Sequence, residues 1–131
     1  DVRFVEEELS LKGVRIYQVK GNCDYTGAEA YGECLVHGQR IAMVHGHQQR
    51  VKSSLLMVGF LAEEKNAEAV LFGHTHIPMC EYYGDTLLIN PGSPSRPRGG
   101  SEPCFAVLTL QRGKTPEIEY ISLTKLQKSL F

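Results

Sequence analysis

The sequence predicts an α/β sandwich with antiparallel additions, and three patterns point to it. Short apolar or alternating runs recur through the 131 residues. One dense helix-forming stretch, near residues 53–65, separates them. Beyond residue 69 only strand-like runs and turns follow.

The first dozen residues read as the tail of an amphipathic helix. Residues 14–19 alternate apolar and polar side chains, as a strand does, and run into the turn formers Gly21-Asn22-Cys23-Asp24. Residues 33–36 and 40–44 are two short strands joined by a hairpin at His37-Gly38-Gln39, and the second ends at His45-Gly46-His47. Ser53 or Ser54 can cap the central helix. Its apolar positions, Leu55, Leu56, Val58, Phe60, Leu61 and Ala62, are dense enough for burial on most sides, until Glu63-Glu64-Lys65 returns it to solvent.

Residues 69–72 form a short continuous apolar run, the pattern of a strand covered on both faces, and stop at Gly73-His74-Thr75-His76. The core strands are therefore expected at 14–19, 40–44 and 69–72, with Leu55, Phe60, Leu71 and Phe72 deeply buried. Residues 79–83 and 86–89 flank the turn Gly84-Asp85. The prolines and glycines of residues 90–100 exclude helix and ladder strand there. Residues 105–110 and 117–123 close the chain as a hairpin around Arg112-Gly113-Lys114.

Composition narrows the function classes. Hydrophobic residues make up 42% and charged residues 22%, so disordered and fibrous classes are excluded. A formal net charge of −1 gives no electrostatic footprint for nucleic acid or a membrane surface. The longest apolar run, 55–62, is broken by Gly59 and falls short of the ~20 residues of a membrane span. Cys23, Cys34, Cys80 and Cys104 form no CxxC pair, which reads as reduced thiols in a cytoplasmic protein.

Three strand-type runs end in chemistry. Asn22-Cys23-Asp24, His45-Gly46-His47 and His74-Thr75-His76 all follow such runs, and ligands in open α/β sheets gather outside the carboxyl ends of strands. In extended chain, i and i+2 point the same way, so each His-x-His pair aims two imidazoles together. One histidine at a strand end is usually just a hydrogen-bonded residue. Four of five histidines in two such pairs reverse that balance toward a metal site. His37, at a hairpin tip, stays outside it. Imidazole nitrogens with an Asn oxygen suit a divalent ion that handles phosphate.

Gly21-Asn22-Cys23-Asp24, His45-Gly46-His47 and Gly73-His74-Thr75-His76 resemble the last three metal motifs of the calcineurin-like metallophosphoesterases. The cysteine in the first of these, the short spacings and Asn90-Pro91-Gly92-Ser93 are similar to the small bacterial and archaeal phosphodiesterase branch, the YfcE type. The resemblance implies a metallophosphoesterase β-sandwich flanked by helices. The family's D-x-H and G-D motifs do not precede Gly21, and Gly84-Asp85 comes too late to be the second. The chain therefore reads as the carboxyl-terminal part, 1–131, of a single such domain, without its amino-terminal βαβ portion.

Carried over by position, the resemblance makes Asn22, His45 and His74 ligands of one metal and His76 a ligand of a second. The catalytic set it implies is Asn22, Cys23, Asp24 and His47. Cys23 stands where the family usually has the proton-donating histidine, and is either a weak acid or a small filler. Asp24 would support its loop, and His47 would contact the phosphate or replace the acid. Implied for the complete protein are two divalent ions, Mn2+ first, with Zn2+, Ni2+, Fe2+ or Mg2+ as alternatives. They hydrolyse a small phosphodiester by attack of a hydroxide held between them, whereas this span alone would be inactive. A homodimer is compatible with the branch. The alternative is an inert protein-binding scaffold on the same fold, similar to the retromer scaffold subunit.

Overall fold

The computed structural model describes residues 2–22 and 28–130. In chain order it contains α1 (Val2–Leu11), β1 (Tyr31–Val36), β2 (Gln39–Val44), α2 (Leu56–Lys65), β3 (Ala69–Leu71), β4 (Met79–Tyr83), β5 (Thr86–Asn90), β6 (Cys104–Thr109), β7 (Glu117–Ser122) and α3 (Leu123–Leu130). Five strands form one sheet in the order β1-β2-β3-β5-β4, and β6-β7 form a second. The centre, β2-β3-β5, is parallel, with an antiparallel hairpin partner at each edge.

The two faces of the large sheet bury different residues. On one face Ala42, Val44, Val70, Phe72 and Leu88 pack with Val58 and Ala62 of α2. On the other, Ile41, Ala69, Leu87 and Ile89 meet Leu108 and Ile118 of the small sheet. Alternation along β2 and β5 sends neighbours to opposite layers, so both strands read as nearly continuous apolar runs. The architecture is helix on sheet on sheet, the α/β sandwich expected.

Helix α2 sits closer to the sheet than its sequence suggests. A Cβ on Gly59 would lie 2.6 Å from the Tyr83 ring, so glycine permits the approach. Val58, Gly59 and Ala62 are the face it buries. Ser54 Oγ accepts the Leu56 N–H at 3.0 Å, although the N-cap position itself is Leu55 and has no side-chain bond.

Four expectations need correction. Phe60 is 53% exposed, because the small face of α2 is the buried one and Phe60 lies outside it. Leu55 and Leu71 are only partly buried; Phe72 alone of the four is fully inside. Residues 14–19 form no strand. Both edges of β2 are taken, and Val19 touches β1 through its face, where a Cβ on Gly32 would come within 3.1 Å of Val19 Cγ1. The alternating pattern is there, but a ladder partner is not. Finally, the chain continues past β7 into α3, which is too short to show a period in sequence; Ser122 Oγ accepts the Lys125 N–H at its start.

Candidate metal centre

The site is built where β2 and β3 end side by side. Gly73 N–H donates to His45 O at 2.9 Å, tying the first residue after one strand to the turn after the other. The chain then bends sharply, with Thr75 N–H on Gly73 O at 2.8 Å. His74 and His76 both take left-handed backbone, φ 70° and 60°. Gly46, between His45 and His47, has φ 108°. Neither His-x-His pair is therefore extended, and the i, i+2 argument gives the convergence for the wrong reason. Tight turns at adjacent parallel strand ends aim the rings.

Left-handed backbone at a non-glycine residue costs about 1–3 kcal/mol and persists only when its surroundings hold it. Asn90 does the holding. It is completely buried, donates from Nδ2 to Gly73 O (3.0 Å) and to Thr75 Oγ1 (2.9 Å), and accepts the Gly92 N–H on Oδ1 (3.0 Å). Thr75 Oγ1 also accepts the Ile77 N–H at 3.2 Å. From the small sheet, the Tyr120 hydroxyl reaches Met79 O (2.6 Å) and Asn90 O (3.0 Å), and burial pushes its pKa up to about 12.

The rings meet above this frame. The His45 and His74 centroids are 5.2 Å apart, and His47 lies 5.1 Å from His45 and 6.2 Å from His74. His45 and His47 share one hydrogen between their Nδ1 atoms, 3.0 Å apart. His76 Nδ1 is 2.8 Å from the Arg96 carbonyl. A carbonyl only accepts, so that nitrogen carries the proton and Nε2 keeps its lone pair for a ligand. Burial first, then Lys52, His47, His76 and Arg98, hold the His74 pKa below the usual imidazole value. His74 is thereby kept in the neutral form that ligates metals.

Asn22, His45, His74 and His76 line a single cavity of about 300 Å3 together with Lys52, Arg96 and Arg98. Among the described residues the lining carries three cations and no carboxylate, a balance that suits an anion. The loop after β5 thus stands beside the histidines through Arg96 and Arg98. His47 is outside the lining and touches the site through His45. Cys23 and Asp24 lie outside the described residues. His37 and Asp85 occupy hairpin turns elsewhere. Lys52 is the residue sequence reasoning missed. The turns after His47 bond Arg50 N–H to His47 O and Val51 N–H to Gly46 O, which folds the chain back to the rim; the only signal was a cation shortly after His-Gly-His.

The donors suit a divalent ion in kind: the imidazoles of His45, His74 and His76 and the Asn22 side chain line the same cavity. Among the described residues, no three His, Cys, Asp or Glu side chains form a group able to hold a metal by themselves. The cavity thus brings three imidazoles and one amide beside three cationic side chains.

Residues 1–113 match the calcineurin-like phosphoesterase superfamily domain. The chain belongs to that family. It is 43% identical over 94 residues to a probable metallophosphoesterase of Bacillus subtilis, YsnB, covering 71% of this chain and 56% of that protein. It is 28% identical over 113 residues to the Escherichia coli phosphodiesterase YfcE, covering 79% and 58%. The crystal structure of a predicted phosphoesterase from Streptococcus pneumoniae superposes with a TM-score of 0.75 at 28% identity, over 79% of this chain and 60% of that one. The chain thus spans little more than half the length of the curated relatives it matches.

Proposed function

We propose that the complete protein is a metal-dependent phosphodiesterase in which the present chain supplies the phosphate-binding cations and part of the metal-ligand set. One observation carries the reading: Asn22, His45, His74 and His76 share their cavity with Lys52, Arg96 and Arg98. Neutral imidazoles hold divalent ions, and clustered cations hold a phosphodiester's anionic oxygens; few other ligands need both. The family relationship and the YfcE likeness support the same reading.

In this scheme Asn22, His45 and His74 hold one ion and His76 contributes to a second. When bound, such ions neutralise phosphate charge and make water nucleophilic at neutral pH. The chain's own residues do the rest. Lys52, Arg96 and Arg98 draw in and orient the phosphate. His47 fixes the His45 ring through their shared hydrogen. Cys23 is the proposed donor of the leaving-group proton, a weak acid that favours diesters of acidic alcohols or phenols. The four cysteines without a CxxC pair support a cytoplasmic location for it.

The test compares a chain carrying the family's D-x-H and G-D motifs with the 131-residue span, using bis(p-nitrophenyl) phosphate and p-nitrophenyl phosphate. Expected is diester turnover by the longer chain with Mn2+, abolished by chelation, and none by the span. Preference for the monoester, or turnover indifferent to metal, contradicts the proposal. Absence of any turnover by the longer chain, with the ions bound, favours the scaffold alternative.

A further inference from the structure

The cationic cavity adjoins a second cleft. The two share Lys52 and Arg98, and the second, about 420 Å3, is otherwise walled by Val51, Thr75, Ile77 and Met79. That volume is within the range of small-molecule sites and large enough for an aromatic ring. Its walls are fixed by close packing. A Cβ on Gly46 would lie 2.9 Å from Val51 Cγ2, and one on Gly99 would lie 3.0 Å from Ile77 Cδ1. Both glycines have positive φ, 108° and 64°, so the backbone at each is one that other residues adopt only at a cost. Arg98 is anchored by its own N–H on His76 O at 3.1 Å, so the shared wall is tied to the metal-ligand turn.

We propose that this cleft receives the apolar, aryl-sized second ester group of the phosphodiester whose phosphate lies in the neighbouring cavity. The inference rests on the phosphodiesterase reading and adds the substrate class. A molecule bound across both spaces must be anionic where Lys52 and Arg98 face the histidine cavity and apolar where Val51, Ile77 and Met79 stand. Among the described lining residues Thr75 is the one neutral polar side chain, and its Oγ1 already accepts from Asn90 Nδ2 and Ile77 N–H, so its oxygen is not available to accept from a ligand. An aryl or branched alkyl group meets the cleft without leaving polar atoms unpaired. Ile77, 42% exposed, is the apolar side chain of the cleft with the largest exposed fraction.

The experiment titrates the 131-residue protein with phenylphosphonate and with methylphosphonate, by calorimetry and by side-chain methyl NMR. Phenylphosphonate is expected to bind about tenfold more tightly, within the range for hydrophobic pockets, with Ile77 and Met79 methyl signals shifting for it alone. Ile77→Ala reduces the preference and Ile77→Asp removes it. Equal affinities, no binding of either probe, or a preference that survives Ile77→Asp overturns the proposal. Diester hydrolysis is scored separately on the longer chain. Loss of turnover with the phenyl preference intact overturns the phosphodiesterase reading alone. Turnover without any preference overturns the cleft alone.

Discussion

The turn at residues 73–76 and the segment at residues 14–22 both lead to ligands of the same cavity, yet they are held differently. The first follows a central strand with parallel neighbours on both sides and is cross-braced by a buried Asn90. The second joins no ladder; Lys20 N–H bonds Glu29 O at 2.8 Å, and Val19 leans on the face of β1. Asn22 at its end is exposed. The contrast teaches that ligand precision here comes from strand ends and one amide, not from the ligands' own loops. His74 and His76 are held by the frame itself, whereas Asn22 is at its margin.

The strongest way to break this contrast is to remove the brace. Asn90→Ala deletes three hydrogen bonds of a fully buried side chain and leaves Gly73 O with the Thr75 N–H as its remaining donor and the Gly92 N–H without Oδ1. The expected loss is about 2–4 kcal/mol in denaturant unfolding, with a marked fall in metal affinity. Next comes Gly92→Ala. Gly92 has φ 80°, and a Cβ would meet Cys104 Sγ at 2.6 Å while its N–H must still reach Asn90 Oδ1. Chemical denaturation should show a loss of about 1–3 kcal/mol.

Asn22→Ala tests the other arm. Its stability effect should stay within about 0.5 kcal/mol, as for an exposed residue, while metal affinity measured by calorimetry falls. A large unfolding effect would show that residues 14–22 are as firmly built as the turn. The smallest effect concerns protons. His74 has a folded pKa below its unfolded value near 6.5, so the unfolded chain binds more protons between the two. Its contribution to stability is complete above about pH 6.5 and is lost as pH falls toward the lowered folded value. In metal-free buffer, His74→Asn should flatten the unfolding midpoint against pH over that interval.

Sequence carried much of this, unevenly. The strands at 69–71 and 39–44 and the hairpins at 37–38 and 84–85 were legible, because local pattern and turn chemistry decide them. The gathering of His45, His74, His76 and Asn22 was legible from their places after strand-type runs, although the extended-chain argument for each pair fails at the left-handed turns. What escaped was whatever depends on distant partners. Residues 14–19 have a strand's alternation, but ladder pairing is not local. Which face α2 buries is decided by the Gly59–Tyr83 contact, and Phe60 cannot report that. Lys52 reaches the cavity through a path of turns with no pattern to announce it, and the role of Asn90 as a brace shows only once Gly73 and Thr75 stand beside it.

The central claim is that these histidines already form part of a metal site, and Mn2+ titration of the 131-residue protein followed by NMR tests it most directly. The account predicts one weakly held ion whose paramagnetism broadens the His45, His74 and His76 ring signals and the Asn22 amide first, leaves His37 sharp, and is displaced by His74→Ala. Broadening centred on His37 or spread evenly over the surface would contradict it, as would two tightly held ions in this chain alone.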